Sequence, residues 1–99
     1  MLHFSNPAAN TEASVTIQAV NDGEVHIRGI DVGYTADPTG GSVIVESPAG
    51  TVIWSMPLTK AGPGQFEFYP LEGEHQKNVT VRLTAGGASV VGSLAVHAE

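Results

Sequence analysis

The sequence has no cysteine and few cations among its 99 residues. The lack of cysteine excludes disulfides and thiolate metal sites. Only four Lys or Arg side chains stand against ten acids, which gives a formal net charge of -6. Proteins that bind nucleic acid or an anionic membrane surface rely on clustered cations, and four scattered ones do not form such a cluster. We therefore expect neither a nucleic acid nor a membrane among the partners.

Long apolar runs are missing as well. No stretch of the sequence approaches the roughly 18 apolar residues that a membrane-spanning helix needs. The first residues also lack the charged region and the apolar run of a secretory signal. We therefore expect a protein that is made in a cytoplasm and stays soluble.

Valine is the most common apolar residue, with 12 copies against five leucines. β-Branched side chains fit the pleated, half-buried surface of a sheet better than a helix. Apolar and polar residues alternate in short segments, such as 14–19 and 79–84, that recur at intervals of about 8–12 residues. We predict an all-β chain of seven to eight short strands, folded as an antiparallel β-sandwich of the jelly-roll type.

The strand pattern also predicts a core and a domain boundary. Apolar side chains in the phase that should face inward are expected to form the core: Trp54, Phe66, Phe68, Val81, Leu83 and Leu94. Residues 1–13 have no period, which predicts an N-terminal arm or an edge strand. Residues 14–99 are predicted to form a single β-sandwich domain.

Glycine and proline mark the expected turns. Segments 37–40 (Asp-Pro-Thr-Gly) and 47–50 (Ser-Pro-Ala-Gly) have the composition of type I turns, with Gly40 and Gly50 expected at positive φ. These turns predict a three-stranded meander over residues 25–58.

Three further breaks in the pattern are informative. The alternation slips at Gly29, which predicts a β-bulge there. Pro70 is expected to end the strand that carries Phe66 and Phe68. Residues 21–23 (Asn-Asp-Gly) have the composition of another tight turn.

Histidines and acids are the residues of this chain that suit metal binding. No two of the four histidines have the spacing of a zinc pair such as H-x-x-x-H. The loop at 72–75 offers Glu72 and Glu74 to a hard cation, but it lacks the spacing of a calcium loop. We therefore predict no metal.

No nucleophile motif is present either. The chain has no cysteine and no G-x-S-x-G segment. His26 is expected at the surface because it alternates with apolar neighbours, and His97 is expected to pair with Glu99 or to stay unpaired. We predict no catalytic residue, no cofactor and no enzymatic activity.

Three segments of the chain resemble known proteins. They are 78–96 (Asn-Val-Thr-Val-Arg-Leu-Thr-Ala-Gly-Gly-Ala-Ser-Val-Val-Gly-Ser-Leu-Ala-Val), 36–41 (Ala-Asp-Pro-Thr-Gly-Gly) and 61–64 (Ala-Gly-Pro-Gly). Through them the chain resembles small all-β phage virion proteins of mostly unassigned role. The resemblance implies a head decoration (cement) protein, made in the host cytoplasm, that stabilises the shell. It implies the major capsid protein as partner, a homotrimer, and a location on the outer head surface of the virion.

A receptor- or carbohydrate-binding module of a phage tail or fibre is the alternative. Sugar binding needs exposed aromatic rings beside polar groups, whereas the aromatic residues here mostly stand where a core needs them. Contacts with a neighbouring chain or with the shell are expected at Leu2, His3, Phe4 and Asn6, since Leu2 and Phe4 are apolar residues of a segment without a local pairing pattern.

Overall fold

Short alternating segments form eight β-strands in the computed structural model of the protein, which describes residues 1–19 and 22–99. The strands are β1 (Leu2–Ser5), β2 (Ala13–Ile17), β3 (His26–Tyr34), β4 (Gly41–Glu46), β5 (Val52–Leu58), β6 (Gly62–Glu72), β7 (Val79–Leu83) and β8 (Gly92–Ala98). The turn predicted at 21–23 includes Asn21, which lies outside the described residues. Within the described ranges there is no helix long and apolar enough to cross a membrane.

The strands pair into two antiparallel four-stranded sheets. Sheet I has the order β1-β8-β3-β6, and sheet II has the order β2-β7-β4-β5. Except for β4 and β5, strands that are neighbours in a sheet are distant in sequence. Two interlocked Greek keys give this strand order in a jelly roll. The prediction of an all-β, antiparallel jelly-roll sandwich is therefore confirmed.

The core lies between the two sheets. Val81, Leu83 and Leu94 are buried there, as predicted. The predicted aromatic core residues are only partly buried, and they pack against the core from the side. Trp54 of β5 meets Phe66 and Phe68 of β6 edge to face, with ring centroids 5.3 and 5.1 Å apart. Since β5 and β6 are edge strands of opposite sheets, this aromatic cluster closes one side of the sandwich.

The β-bulge predicted at Gly29 is confirmed. The register of β3 shifts between Ile27 and Gly29 against both β6 and β8. The shift lets Ile27 and Ile30 both point into the core, where both are fully buried. Without the extra residue, one of the two would face outward.

The predicted three-stranded meander over residues 25–58 is wrong. β3 belongs to sheet I and β4 to sheet II, so only β4 and β5 form a hairpin. Residues 35–40 carry the chain between the sheets, and the Asp37 carboxylate accepts a hydrogen bond from the Ala61 N–H over 2.7 Å. Turn composition indicates that the chain changes direction, but it does not indicate which sheet the chain enters.

The glycines of the two turns adopt the predicted backbone. Gly40 and Gly50 have φ values of 69° and 95°. The second turn is closed one residue later than predicted, because the Thr51 N–H donates to the Pro48 carbonyl over 2.9 Å. Gly50 thereby takes the third position, where a type II turn requires positive φ.

The prediction that Pro70 ends its strand is wrong. β6 runs through Pro70 to Glu72. β6 is the edge strand of sheet I, paired only with β3. The outer side of an edge strand has no neighbouring strand that would need a backbone N–H as hydrogen-bond donor, so proline is tolerated there. The same reason explains Pro57 in β5, the edge strand of sheet II.

Candidate functional site

The outward surface of sheet I, here called the sheet I face, combines polar and aromatic side chains. One register row crosses all four strands: Phe4 lies opposite Ala95, Ala95 opposite Asp31, and Asp31 opposite Gln65. The next row contains Leu2, His97, Gly29 and Glu67 in the same order of strands. The two middle strands therefore bring Asp31 and His97 together on this face, and the edge strands add Phe4 on one side and Glu67 on the other.

Three adjoining depressions follow this face from β1 to β6. The first, of about 210 Å³, is lined by Phe4, Asn6 and Asp31 among others. The second, of about 290 Å³, shares Asp31 with the first and extends to His97 and Glu67. The third, of about 280 Å³, shares Glu67 with the second and ends at Tyr69. These three depressions are together called the groove below.

Two side-chain pairs form on or beside this face. His97 Nε2 and Asp31 Oδ2 lie 3.0 Å apart on neighbouring strands. The expectation that His97 pairs with Glu99 or stays unpaired is wrong, because the order of the strands brings His97 to Asp31. Glu99 instead accepts a hydrogen bond from Arg28 over 2.9 Å. That hydrogen bond, together with the charge of Arg28, lowers the pKa of Glu99 below its ordinary value.

Exposed aromatic rings stand at both ends of the groove. Tyr69 on β6 is fully exposed, with a relative exposure of 101%, and Phe4 on β1 is 65% exposed. The interpretation that the aromatic residues mostly serve the core is therefore wrong for these two. Tyr34, in contrast, is buried and donates its hydroxyl hydrogen to the Thr84 carbonyl over 2.7 Å.

The predicted partner-contact residues lie on or beside β1. Residues 2–5 pair with β8 of the same chain, and β1 is an edge strand of sheet I. Phe4 and Asn6 line the first depression, and Leu2 lies in the same register row as His97. His3 lies opposite the buried Val96 and therefore points to the inner side. Leu2, Phe4 and Asn6 thus reach the sheet I face, and their role in partner binding stays a prediction.

A second polar cluster lies at one end of sheet I. It contains Glu24 before β3, His26 at the start of β3, and Glu72 at the end of β6. One ligand atom from each of these three residues lies within 4.8 Å of the others. His75 joins the cluster, with its Nδ1 2.5 Å from Oε2 of Glu24. From the sequence, only the loop at 72–75 was considered as a cation site. No pattern in the sequence around residues 24 and 26 indicates that they lie close to this loop.

The core contains no hidden polar site among the residues that the structure describes. Every buried side-chain nitrogen or oxygen there has a hydrogen-bond partner. An unpartnered buried polar atom is a common sign of a functional site. The chemistry that this part of the chain offers is therefore at the surface, on the sheet I face and in the adjoining cluster.

No protein-family model matches the chain, and no curated protein matches it in sequence. Solved structures do match it in fold. The crystal structure of PirA superposes with a TM-score of 0.58 at 13% identity, covering 99% of this chain and 93% of that one. A carbohydrate-binding module CBM36 in complex with calcium and xylotriose superposes with a TM-score of 0.54 at 13% identity, covering 93% of this chain and 76% of that one.

A third structure, described as CBM4, has a TM-score of 0.53 at 8% identity and covers 97% of this chain and 81% of that one. Carbohydrate-binding modules thus recur among the structures similar to this chain. At such low identity these likenesses show a shared β-sandwich fold and nothing about residues of a site.

Proposed function

We propose that the protein is a non-catalytic carbohydrate-binding module that holds a saccharide across the sheet I face. The observation that carries this proposal is the pair of exposed rings, Phe4 and Tyr69, at the two ends of the groove. The similarity in fold to carbohydrate-binding modules supports it. This function is the alternative that the sequence left open beside the virion protein.

Aromatic rings and polar groups recognise different parts of a sugar. The C–H face of a pyranose is apolar and packs against an aromatic ring, whose burial is favourable. The hydroxyl groups of a sugar both donate and accept hydrogen bonds, and Asp31, Gln65 and Glu67 offer the complementary atoms on neighbouring strands. Because the Asp31 carboxylate is held by His97 at 3.0 Å, it is positioned before the ligand arrives.

Ser93 and His97 on the sheet I face do not have the spacing of a nucleophile and its general base. Ser93 is the hydroxyl-bearing residue of β8 on this face, and His97 lies four residues further along the same strand. At about 3.3 Å per residue they are separated by roughly 13 Å. A general base must lie within hydrogen-bond reach of its nucleophile, so His97 does not activate Ser93.

Alanine variants of the two rings test the carbohydrate-binding function. We expect Tyr69→Ala and Phe4→Ala each to weaken binding of xylo- or cello-oligosaccharides by about tenfold, since an aromatic contact contributes on the order of 1 kcal/mol beyond the area that it buries. Titration calorimetry against a panel of such oligosaccharides measures the change. Val52→Ala is the matched control, because Val52 is 54% exposed on β5 of sheet II. No binding across the panel, or equal loss in the control, would contradict the proposal.

We keep virion decoration as a second proposal because β1 exposes apolar side chains at a sheet edge. Leu2 is 41% and Phe4 65% exposed there. We expect a homotrimer of the 10.2 kDa chain, and we expect Phe4→Ser to shift it toward the monomer. Light scattering at high concentration measures the mass, and co-sedimentation with phage heads tests binding to the major capsid protein. A monomer that does not sediment with heads would rule out this assembly, whatever its affinity for sugars.

A further inference from the structure

The cluster at one end of sheet I combines imidazole and carboxylate groups from two distant parts of the chain. We propose that Glu24, His26 and Glu72 bind a divalent transition-metal ion of the zinc class, and that His75 orients Glu24. Metal binding at this cluster is independent of the proposed carbohydrate binding, since the ligands are not groove residues.

The ligand atoms are already close to the separation that such an ion needs. One atom of each residue lies within 4.8 Å of the others, and His26 Nε2 is 3.7 Å from Oε1 of Glu72. Around a tetrahedral zinc ion with bonds of about 2.0 Å, ligand atoms lie about 3.3 Å apart. Small side-chain rotations are enough to close this difference, because all three side chains are at least partly exposed.

The backbone that carries the ligands is held on several sides. His26 and Glu72 lie directly opposite one another in the β3–β6 register. The Gly73 N–H donates to the Val25 carbonyl over 2.8 Å, and the Glu99 N–H donates to the His26 carbonyl over 2.9 Å. Gly73 is buried where an added Cβ would overlap a methyl group of Val79. Such anchoring lowers the entropy that the site loses when an ion binds.

The charge balance of the cluster favours a cation. Arg28 pairs with Glu99, and Arg82 pairs with acids on the other sheet. In the described part of the chain, no Lys or Arg lies within 4.0 Å of the carboxylate of Glu24 or Glu72, whose ion-pair partners there are imidazoles. No Lys or Arg side chain of the described residues therefore competes with a metal ion for these two carboxylates.

The ligand types select the class of metal. Calcium and magnesium prefer oxygen ligands alone, and an imidazole nitrogen favours zinc and its neighbours in the first transition row. One imidazole and two carboxylates leave a fourth tetrahedral position for water. His75, with Nδ1 2.5 Å from the Glu24 carboxylate, has the position of the outer partner that commonly orients a metal ligand.

Zinc titration of the full chain, prepared without a histidine tag, tests the site. We expect calorimetry to show one ion per chain. Because each removes a direct ligand, His26→Gln and Glu72→Gln should weaken zinc binding by at least about tenfold, whereas His75→Gln should have a smaller effect. His97→Gln is the matched control, since it removes an imidazole that pairs with Asp31 on the same sheet. It should leave zinc affinity unchanged.

Thermal melting gives a second readout that does not depend on calorimetry. At a free zinc concentration ten times the Kd, the melting temperature of the wild type should rise by about 5 °C or more, and EDTA should reverse the rise. Folded His26→Gln protein should show no such rise. The proposal is overturned if the wild type shows no saturable zinc binding below about 100 µM, on the order of 5 kcal/mol of binding free energy. It is equally overturned if His97→Gln loses as much affinity as His26→Gln.

Discussion

Replacement of Leu83 by alanine is expected to lower the free energy of unfolding by about 2–5 kcal/mol, because it removes buried methyl groups and leaves a cavity. Leu83 is fully buried on β7 between β2 and β4, opposite Ala13 and Val43. Its Cδ2 also lies against the backbone of Gly92 on β8, 2.9 Å from the position of an added Cβ. Leu83 therefore links the two sheets. Urea denaturation, followed by tryptophan fluorescence of Trp54, measures the loss.

The same substitution at an exposed leucine is the control for Leu83. Leu2 is 41% exposed at the edge of sheet I, so Leu2→Ala should change the free energy of unfolding by less than about 1 kcal/mol. A folded protein of this size has roughly 5–15 kcal/mol of stability, and the loss at Leu83 is a large part of it. If the two variants unfold at the same urea concentration, the packing of the sandwich around Leu83 is wrong.

The strands and their inward faces are predictable from sequence because the information is local. In β7, Val79, Val81 and Leu83 are buried while Thr80 and Arg82 are not. A period of two residues alone predicts this pattern. The bulge at Gly29 is predictable for the same reason, since a slip in the alternation is visible within a few residues.

Strand pairing is not local, and this is where sequence reasoning failed. β3 has β6 and β8 as neighbours, and β4 lies in the other sheet. A turn composition such as that of 37–40 is compatible with a hairpin and with a crossing between sheets. The prediction that the strand ends at Pro70 failed for a related reason. Proline is tolerated in an edge strand, and which strands lie at the edges is known only once the topology is known.

The candidate site was predicted even less completely than the fold. Asp31 and His97 are separated by 66 positions and meet only because β3 and β8 are neighbours. His26 was correctly expected outside the core, but its partner Glu72 follows from the β3–β6 register. Tyr69 had a local signal that was not used: in a period of two it falls in the phase opposite to Phe66 and Phe68, which do pack against the core.

On sheet II, Arg82 connects three parts of the chain. Its Nε donates to Oε1 of Glu46 over 3.0 Å, and its Nη1 donates to Oε1 of Glu12 over 2.6 Å. These hydrogen bonds raise the pKa of Arg82 further above its ordinary value, with Glu12 contributing most, so the side chain stays charged. Glu46 is only 7% exposed at the end of β4. Its carboxylate therefore depends on Arg82 for compensation of its charge.

Arg82→Ala is expected to destabilise the protein by about 2–4 kcal/mol, because it leaves the buried Glu46 carboxylate without its partner. Arg82→Lys should recover only part of the loss, since a single ammonium group does not reproduce the forked contacts of a guanidinium. Arg28→Ala is the control. It breaks the exposed pair with Glu99, and such pairs contribute at most about 1 kcal/mol.

A double-mutant cycle separates the Arg82–Glu46 interaction from other effects of the substitutions. If the pair interacts as described, the double variant Arg82→Ala/Glu46→Gln should lose at least about 1 kcal/mol less unfolding free energy than the sum of the losses in the two single variants. The reason is that the double variant contains no buried Glu46 carboxylate that lacks a partner. Urea denaturation of the four proteins at pH 7 gives the coupling free energy. Strict additivity would show that Glu46 is compensated by water instead, and that Arg82 acts on stability through Glu12 or through the packing of its own stem against sheet II.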